Sequence, residues 1–484
     1  SISISIDISI AIHIDINVDV DDIVDVDVDV NISVGANIDV SRYGFYSRGL
    51  PCRSNIALGG YLLRIKPATL MTNKTAQPLG TQRYGWVIVG VLLLIQTVSS
   101  GLGFYNMSVY INRLSAELAV PVSDISFAVS LFFVVGGVAG LYIAALLTRF
   151  KVRTIMIAGT LLAGLALGLV GMATEVWHVY GLFALFGMGN AGISLVVATT
   201  LITQWFPGAE RSMALAVTST GLSLGGVVLT PLSAYLLNTI GVAETMPLLG
   251  LVLVLFVVPL CFLVRQPPGS EISSSAQTMD TNAALLASAV NSRFFALMAL
   301  AYVLTMAAQV GGIAHLYNRV EQITDYQTAA YAVQALSICS IGGRFLGGWL
   351  VSRIPIRWFA LGNLCLQALG LTCIAVAPSG SFALLAAGLF GLSVGNLLMT
   401  QPLWLAEIYP SQIYARVFAR ANAISVVGVA IGPYSMGLIF DAFGGSTYTQ
   451  AYLAGVTLSV TALAIVITAS RPSRMRTYRD LTPD

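Results

Sequence analysis

SICSIGGRFLGGWLVSRIPIR, residues 337–357, is an apolar run that ends in two arginines and carries a third inside it. Arg353 and Arg357 stand where a membrane helix would leave the bilayer. Arg344 does not: it is the only charged residue between Thr328 and Ser352. The last ten residues of the stretch, GWLVSRIPIR (Gly348–Arg357), echo AALLTRFKVR (Ala144–Arg153) about 204 residues earlier. Three further echoes keep the order and the offset, about 203 to 206 residues. VYINRL (Val109–Leu114) returns as HLYNRV (His315–Val320), Gly189-Asn190 as Gly395-Asn396, and TQWFP (Thr203–Pro207) as AEIYP (Ala406–Pro410). Ordered matches at one offset predict two copies of one structural unit, related by an axis along the membrane normal.

Composition says which kind of unit. Of 484 residues, 56% are hydrophobic and 10% charged, where soluble domains carry about 25% charged residues. A spanning helix needs about 20 mostly apolar residues, and runs of that length recur from Tyr84 to Ala469. The first half is expected to span at Tyr84–Asn106, Ile125–Leu147, Thr154–Ala173, Trp177–Gln204, Ala214–Ile240 and Met246–Val264. The second is expected to span at Phe294–Leu316, Thr328–Val351, Trp358–Val376, Phe382–Leu403, Ala419–Ala442 and Ala451–Ala469. The fold class is therefore an all-α membrane protein, with twelve transmembrane helices in two pseudo-symmetric six-helix halves. The halves are expected at residues 71–265 and 293–470, joined by a polar linker at 266–292 and followed by a tail at 471–484.

No polar segment is long enough for a soluble catalytic domain, and no nucleophile–base pair or metal cluster is visible. The reading expects no enzyme, no catalytic residue, no metal, no cofactor and no nucleic-acid partner. Cys261, Cys339, Cys365 and Cys373 lie in apolar runs without CxxC spacing and read as small packing residues.

Basic residues give an orientation. Arg149, Lys151, Arg153, Arg211, Arg265, Arg293, Arg353, Arg357, Arg416, Arg420 and four tail arginines fall on one side, against Arg113 and Arg319 on the other. The positive-inside rule places both termini in the cytoplasm of a plasma-membrane protein. Residues 1–70 read differently. The first forty alternate polar and β-branched residues, with nine Asp and neither Lys nor Arg. Taken literally this is a strand period. The repeats lack the Gly and closing Glu of a calcium loop. They are expected to be a low-complexity, disordered extension outside the native fold, with translation starting at Met71.

The repeated halves resemble the major facilitator superfamily over essentially Met71 to Asp484. Its loop after the second helix reads Gly-x-x-x-Asp-Arg-x-Gly-Arg-Arg. Here the Asp position holds Thr148 or Ser352, while Arg149 and Arg353 remain. TQWFPGAERSMALAVTSTGLSLGG and RYGWVIVG are similar to passages of the monocarboxylate transporter and oxalate–formate antiporter branch. That resemblance implies a secondary transporter of small organic anions. It also implies a substrate-binding arginine on the eighth helix with Gly four residues on, as in Arg344 with Gly348. Three departures matter. Ser340 stands where proton-coupled members have Asp, the first helix has no Lys, and the eleventh offers only Arg420. One intramembrane cation suits a monoanion, and proton coupling is left open.

Arg344 is expected about 5 Å from the midplane of its helix, where an arginine costs roughly 2.5–3.5 kcal/mol on insertion scales. No acidic residue is expected at that depth. A guanidinium there either binds a carboxylate through its two-pronged fork or holds backbone carbonyls. The matching position in the second helix is Gly140, so the repeat does not require the charge. Tyr105, Asn106, Gln309 and His315, on the first and seventh helices, are the other candidate substrate ligands. Arg149, Lys151, Arg153, Arg353 and Arg357 are candidate gate residues at the basic end. The expected partners are a small organic anion and the lipid bilayer, with the protein as a monomer. Efflux of a hydrophobic compound is the rival function.

Overall fold

In a computed structural model of the protein, the described residues are 11–18, 23–31, 55–58, 61–64 and 79–470, except 148, 207–209 and 268–282. The tail at 471–484, most of the linker and Thr148 lie outside them. The chain separates into two units, Ser1–Pro78 and Leu79–Asp484.

In the first unit the period-two alternation forms strands. β1 (Ala11–Val18) pairs antiparallel with β2 (Ile23–Asn31), and β3 (Asn55–Leu58) with β4 (Tyr61–Arg64). The sheet order is β1-β2-β4-β3. The register sets Ile12, Ile14 and Ile16 opposite Val30, Val28 and Val26. It also sets Asp15 opposite Asp27.

The second unit is helical and holds twelve segments long and apolar enough to cross a membrane. Spans 1 to 6 are Tyr84–Tyr105, Val122–Ile143, Val152–Met172, Val176–Trp205, Met213–Thr239 and Gly241–Leu263. Spans 7 to 12 are Arg293–Glu321, Tyr326–Val351, Ile356–Ala375, Gly380–Ile408, Arg416–Ala442 and Thr449–Ala469. Packing repeats with the sequence. Span 1 packs on 5, 2 on 4 and 3 on 6; in the second half 7 packs on 11, 8 on 10 and 9 on 12. The halves meet through 2 against 11 and 5 against 8, two contacts that exchange under the same repeat.

Small residues permit this packing. A Cβ on Gly187 would collide with the Phe132 carbonyl oxygen, and one on Gly391 with the Leu336 carbonyl oxygen. In hydrocarbon, such close backbone approach supplies the van der Waals contact that the hydrophobic effect cannot. Pro231 and Pro433 sit inside the helices of spans 5 and 11.

Several elements depart from the sequence expectation. Helix continues beyond span 1: a π-helical turn at Gly101–Tyr105 leads into a further helix, Met107–Leu118. The latter was expected as loop because its stretch is too mixed to face lipid. Val109, Tyr110, Ile111 and Leu114 are instead buried against protein. Span 4 is broken, with helices Val176–Ala191 and Leu195–Trp205 meeting at Gly192. The helix carrying span 11 begins at Ser411, ahead of the apolar run.

Candidate substrate-binding cavity

A cavity of about 310 Å³ opens between the halves. Span 1 supplies Gln96, Ser99, Ser100, Gly103, Phe104 and Tyr105 to its lining, recurring at helical spacing along one face. The hydroxyls of this stripe are tied back. Ser99 donates to Asn190 Oδ1 at 2.7 Å and Ser100 to the Leu222 carbonyl at 2.6 Å. Gln96 Nε2 donates to the Ile193 carbonyl at 3.3 Å, one of the groups freed by the break in span 4. Phe132 and Phe133 come from span 2, Gln309 from span 7, Arg344 from span 8, and Val394, Val426 and Val429 from spans 10 and 11.

Arg344 is half-buried on the cavity wall. Its helix starts at Tyr326, earlier than the sequence suggested, because Asp325 caps it through Gln327 N at 2.8 Å and Thr328 N at 2.9 Å. Arg344 therefore lies about 8 Å past the middle of that helix toward the basic end, at 1.5 Å per residue. Nη1 donates to the Ser219 carbonyl on span 5 at 2.7 Å. Gly395, from the repeated Gly-Asn pair, makes room for the side chain: a Cβ there would fall 2.6 Å from Arg344 Cγ. Gly348 has open space beside it. Among the described residues Arg113 pairs with Glu321, and no carboxylate pairs with Arg344. One of its five N–H donors is spent on Ser219, and the rest of the fork remains available at the cavity.

The other candidate ligands divide. Tyr105 and Gln309 line the same cavity as Arg344. Gln309 Nε2 reaches the Val394 carbonyl at 3.5 Å, and its buried Oε1 has no partner. Asn106 and His315 are outside the lining. Asn106 Nδ2 donates to Ser233 Oγ at 2.6 Å and to Tyr110 Oη at 3.2 Å. His315 is fully buried, with Nε2 2.9 Å from the Pro433 carbonyl and its ring beside Tyr448. The sequence candidates miss most of the lining, including Ser99, Phe104 and Phe133. The i, i+3, i+4, i+7, i+8 stripe from Gln96 to Phe104 was the signal that could have found the span 1 members.

The two ends of the bundle differ. At the end away from the basic loops, polar contacts join the halves. Arg113 pairs with Glu321 at 2.7 Å, the Ser123 backbone N–H donates to Asp441 Oδ2 at 2.7 Å, and Tyr448 Oη donates to Asn112 Oδ1 at 3.2 Å. At the basic end, Arg149 and Lys151 are exposed. Arg153 donates to the Val264 carbonyl of its own half at 3.2 Å. Arg353 lies 3.9 Å above the Trp349 ring and Arg357 5.5 Å from that of Trp358. Among the described residues none of these five bonds to the opposite half. Among the described residues, polar contacts thus seal the end away from the basic loops, and none of these five residues latches the other end.

Twelve spans, a two-fold repeat and a cavity between the halves describe a membrane transporter. The chain matches the model of the Major Facilitator Superfamily over residues 93–404 and 325–480 and belongs to that family. It is an integral multi-pass membrane protein and a transporter, not an enzyme. It is 26% identical to human monocarboxylate transporter 11 over 437 residues, 86% of this chain and 90% of the relative. It is 25% identical to the oxalate:formate antiporter of Oxalobacter formigenes over 194 residues, 40% of this chain and 46% of the relative. Among solved structures, a bacterial homologue of the human lysosomal transporter Spinster, inward-facing and unoccupied, superposes with a TM-score of 0.67. That match has 18% identity over 83% of this chain and 99% of the other, and it shows the shared fold.

Proposed function

We propose that this transporter moves a small organic monoanion, monocarboxylate-like, by alternating access, with Arg344 as the carboxylate ligand. The observation that carries the reading is the cavity guanidinium without a neutralising acid. A cation in that position lacks a counter-charge until an anion enters, and a carboxylate can take two parallel N–H bonds from the fork. Ser219 holds the guanidinium in place, while Tyr105 and Gln309 offer further hydrogen bonds to the ligand. The relatives named for monocarboxylates and for oxalate and formate support the same chemistry. With the basic loops on the cytoplasmic side of the plasma membrane, the cavity opens inward and both termini are cytoplasmic. Arg149, Lys151, Arg153, Arg353 and Arg357 then close that side in the opposite state. The protein works as a monomer.

A rival reading is efflux of a hydrophobic compound, favoured by the mostly apolar lining, with Arg344 as a tether between spans 8 and 5. Uptake into proteoliposomes separates the two. Lactate, pyruvate, formate, oxalate and a neutral control are offered to the parent protein and to Arg344→Gln, with and without a proton gradient. Monocarboxylate uptake that the substitution removes, in a protein that keeps its gel-filtration profile, is the expected result. Equal carboxylate uptake by both proteins would make Arg344 structural and put efflux first. The gradient arm reads proton coupling directly.

A further inference from the structure

The cavity carries more than an anion site. Phe104 and Phe133, from neighbouring spans, meet at 5.8 Å and 77°. Both are only partly buried and both line the cavity. Phe132, 4% exposed, packs edge-on behind Phe133 at 5.1 Å and holds it in position. Val394, Val426 and Val429 also line the cavity. A three-carbon acid displaces the room of three or four waters, about 100 Å³ at ~30 Å³ each. The cavity offers about 310 Å³. A small acid on Arg344 would leave the aromatic wall facing water.

Resting on the anion reading above, we infer that the preferred substrate is a carboxylate with a flat apolar or aromatic body. Arg344 takes the carboxylate, and Phe104 and Phe133 take the body. The geometry suits a ring: edge-to-face packing of two rings presents one edge and one face, and a third ring at 4.5–7 Å continues the arrangement. Phe104 and Phe133 become the specificity-determining residues. They come from spans 1 and 2.

The test is calorimetric titration of the detergent-purified protein, which avoids passive permeation of weak acids. Phenylacetate and acetate carry the same charged group and differ in the body. Phenylacetate is expected to bind at least about tenfold more tightly than acetate, from the apolar area it buries. Phe133→Ala and Phe104→Ala are expected to remove most of that advantage while leaving acetate within about twofold. Phe133→Leu, which keeps most of the volume, controls for a folding defect and should retain an intermediate preference. Equal affinity for the two acids, both lost in Arg344→Gln, would overturn the inference and leave the anion site standing. A phenylacetate preference untouched by both phenylalanine substitutions would also overturn it. Binding of either acid unchanged by Arg344→Gln would remove the anion reading itself, and this inference with it.

Discussion

Arg113 and Arg319 hold equivalent places in the two halves, yet their surroundings give them different partners. Arg113 reaches across to Glu321. Arg319 donates to the carbonyls of Ile374 and Ala375 at 3.2 and 2.9 Å, capping the C-terminus of span 9 where a cation meets the negative end of the helix dipole. From sequence both looked like loop charges. The same limit applies to the echoed residues Asn190 and Asn396. Asn190 lines the cavity, while Asn396 bonds within its own helix to the Leu392 carbonyl at 3.0 Å. A repeat fixes where residues stand, and the environment of each copy fixes what they do. Arg344 was legible because a lone charge in an apolar run is costly. The Ser219 carbonyl was not, because its contact crosses 125 residues of sequence. Asp325 yields a pH prediction. Hydrogen bonds from Thr328, backbone and side chain, hold its carboxyl below the usual carboxylate range. A depressed folded-state value stabilises above the unfolded pKa of about 3.9 and is lost as pH falls through the folded one. Asp325→Ala should therefore melt earlier than the parent at pH 7, and the difference should shrink below about pH 4. A gap that persists unchanged at pH 3 would show that the cap does not depend on charge.

At the scale of elements, all twelve spans were legible, because length and hydropathy are set by the bilayer. Helix ends were less so. Met107–Leu118 is helical and buried by protein, and hydropathy does not report protein-facing helix. The π-turn at Gly101–Tyr105 has no sequence period at all. Glycines at helix contacts predict unequal tolerance. Gly187→Ala would push a methyl into the Phe132 carbonyl and should cost about 1–3 kcal/mol. Gly90→Ala meets nothing within 4 Å and should be neutral or slightly stabilising. Thermal melts of the two variants check this; equal melting temperatures would mean that the tight contact of spans 2 and 4 relaxes freely.

For the whole molecule, the sealed end is held by three contacts of modest strength. An ion pair as exposed as Arg113–Glu321 contributes about 1 kcal/mol or less. Weak seals suit a protein that must exchange two states of similar free energy. Glu321→Gln with Asp441→Asn should shift the population toward the state open at that end. Spin labels at Glu117 and Thr324 should then move apart, while labels at Phe150 and Ser352 approach, in a background with the native cysteines replaced. Unchanged distances at both ends would mean that apolar packing, and not these contacts, keeps the seal.

The central claim is that the charge on Arg344 recognises the charge on the substrate. The most direct measurement is a coupling energy. A carboxylic acid and its amide are titrated into the parent protein and into Arg344→Gln. If the guanidinium binds the carboxylate, the acid should lose about 10- to 100-fold in affinity on substitution while the amide changes little, a coupling of about 1.5–3 kcal/mol. If acid and amide lose equally, or neither does, Arg344 only tethers span 8 to span 5 and the anion site is not there.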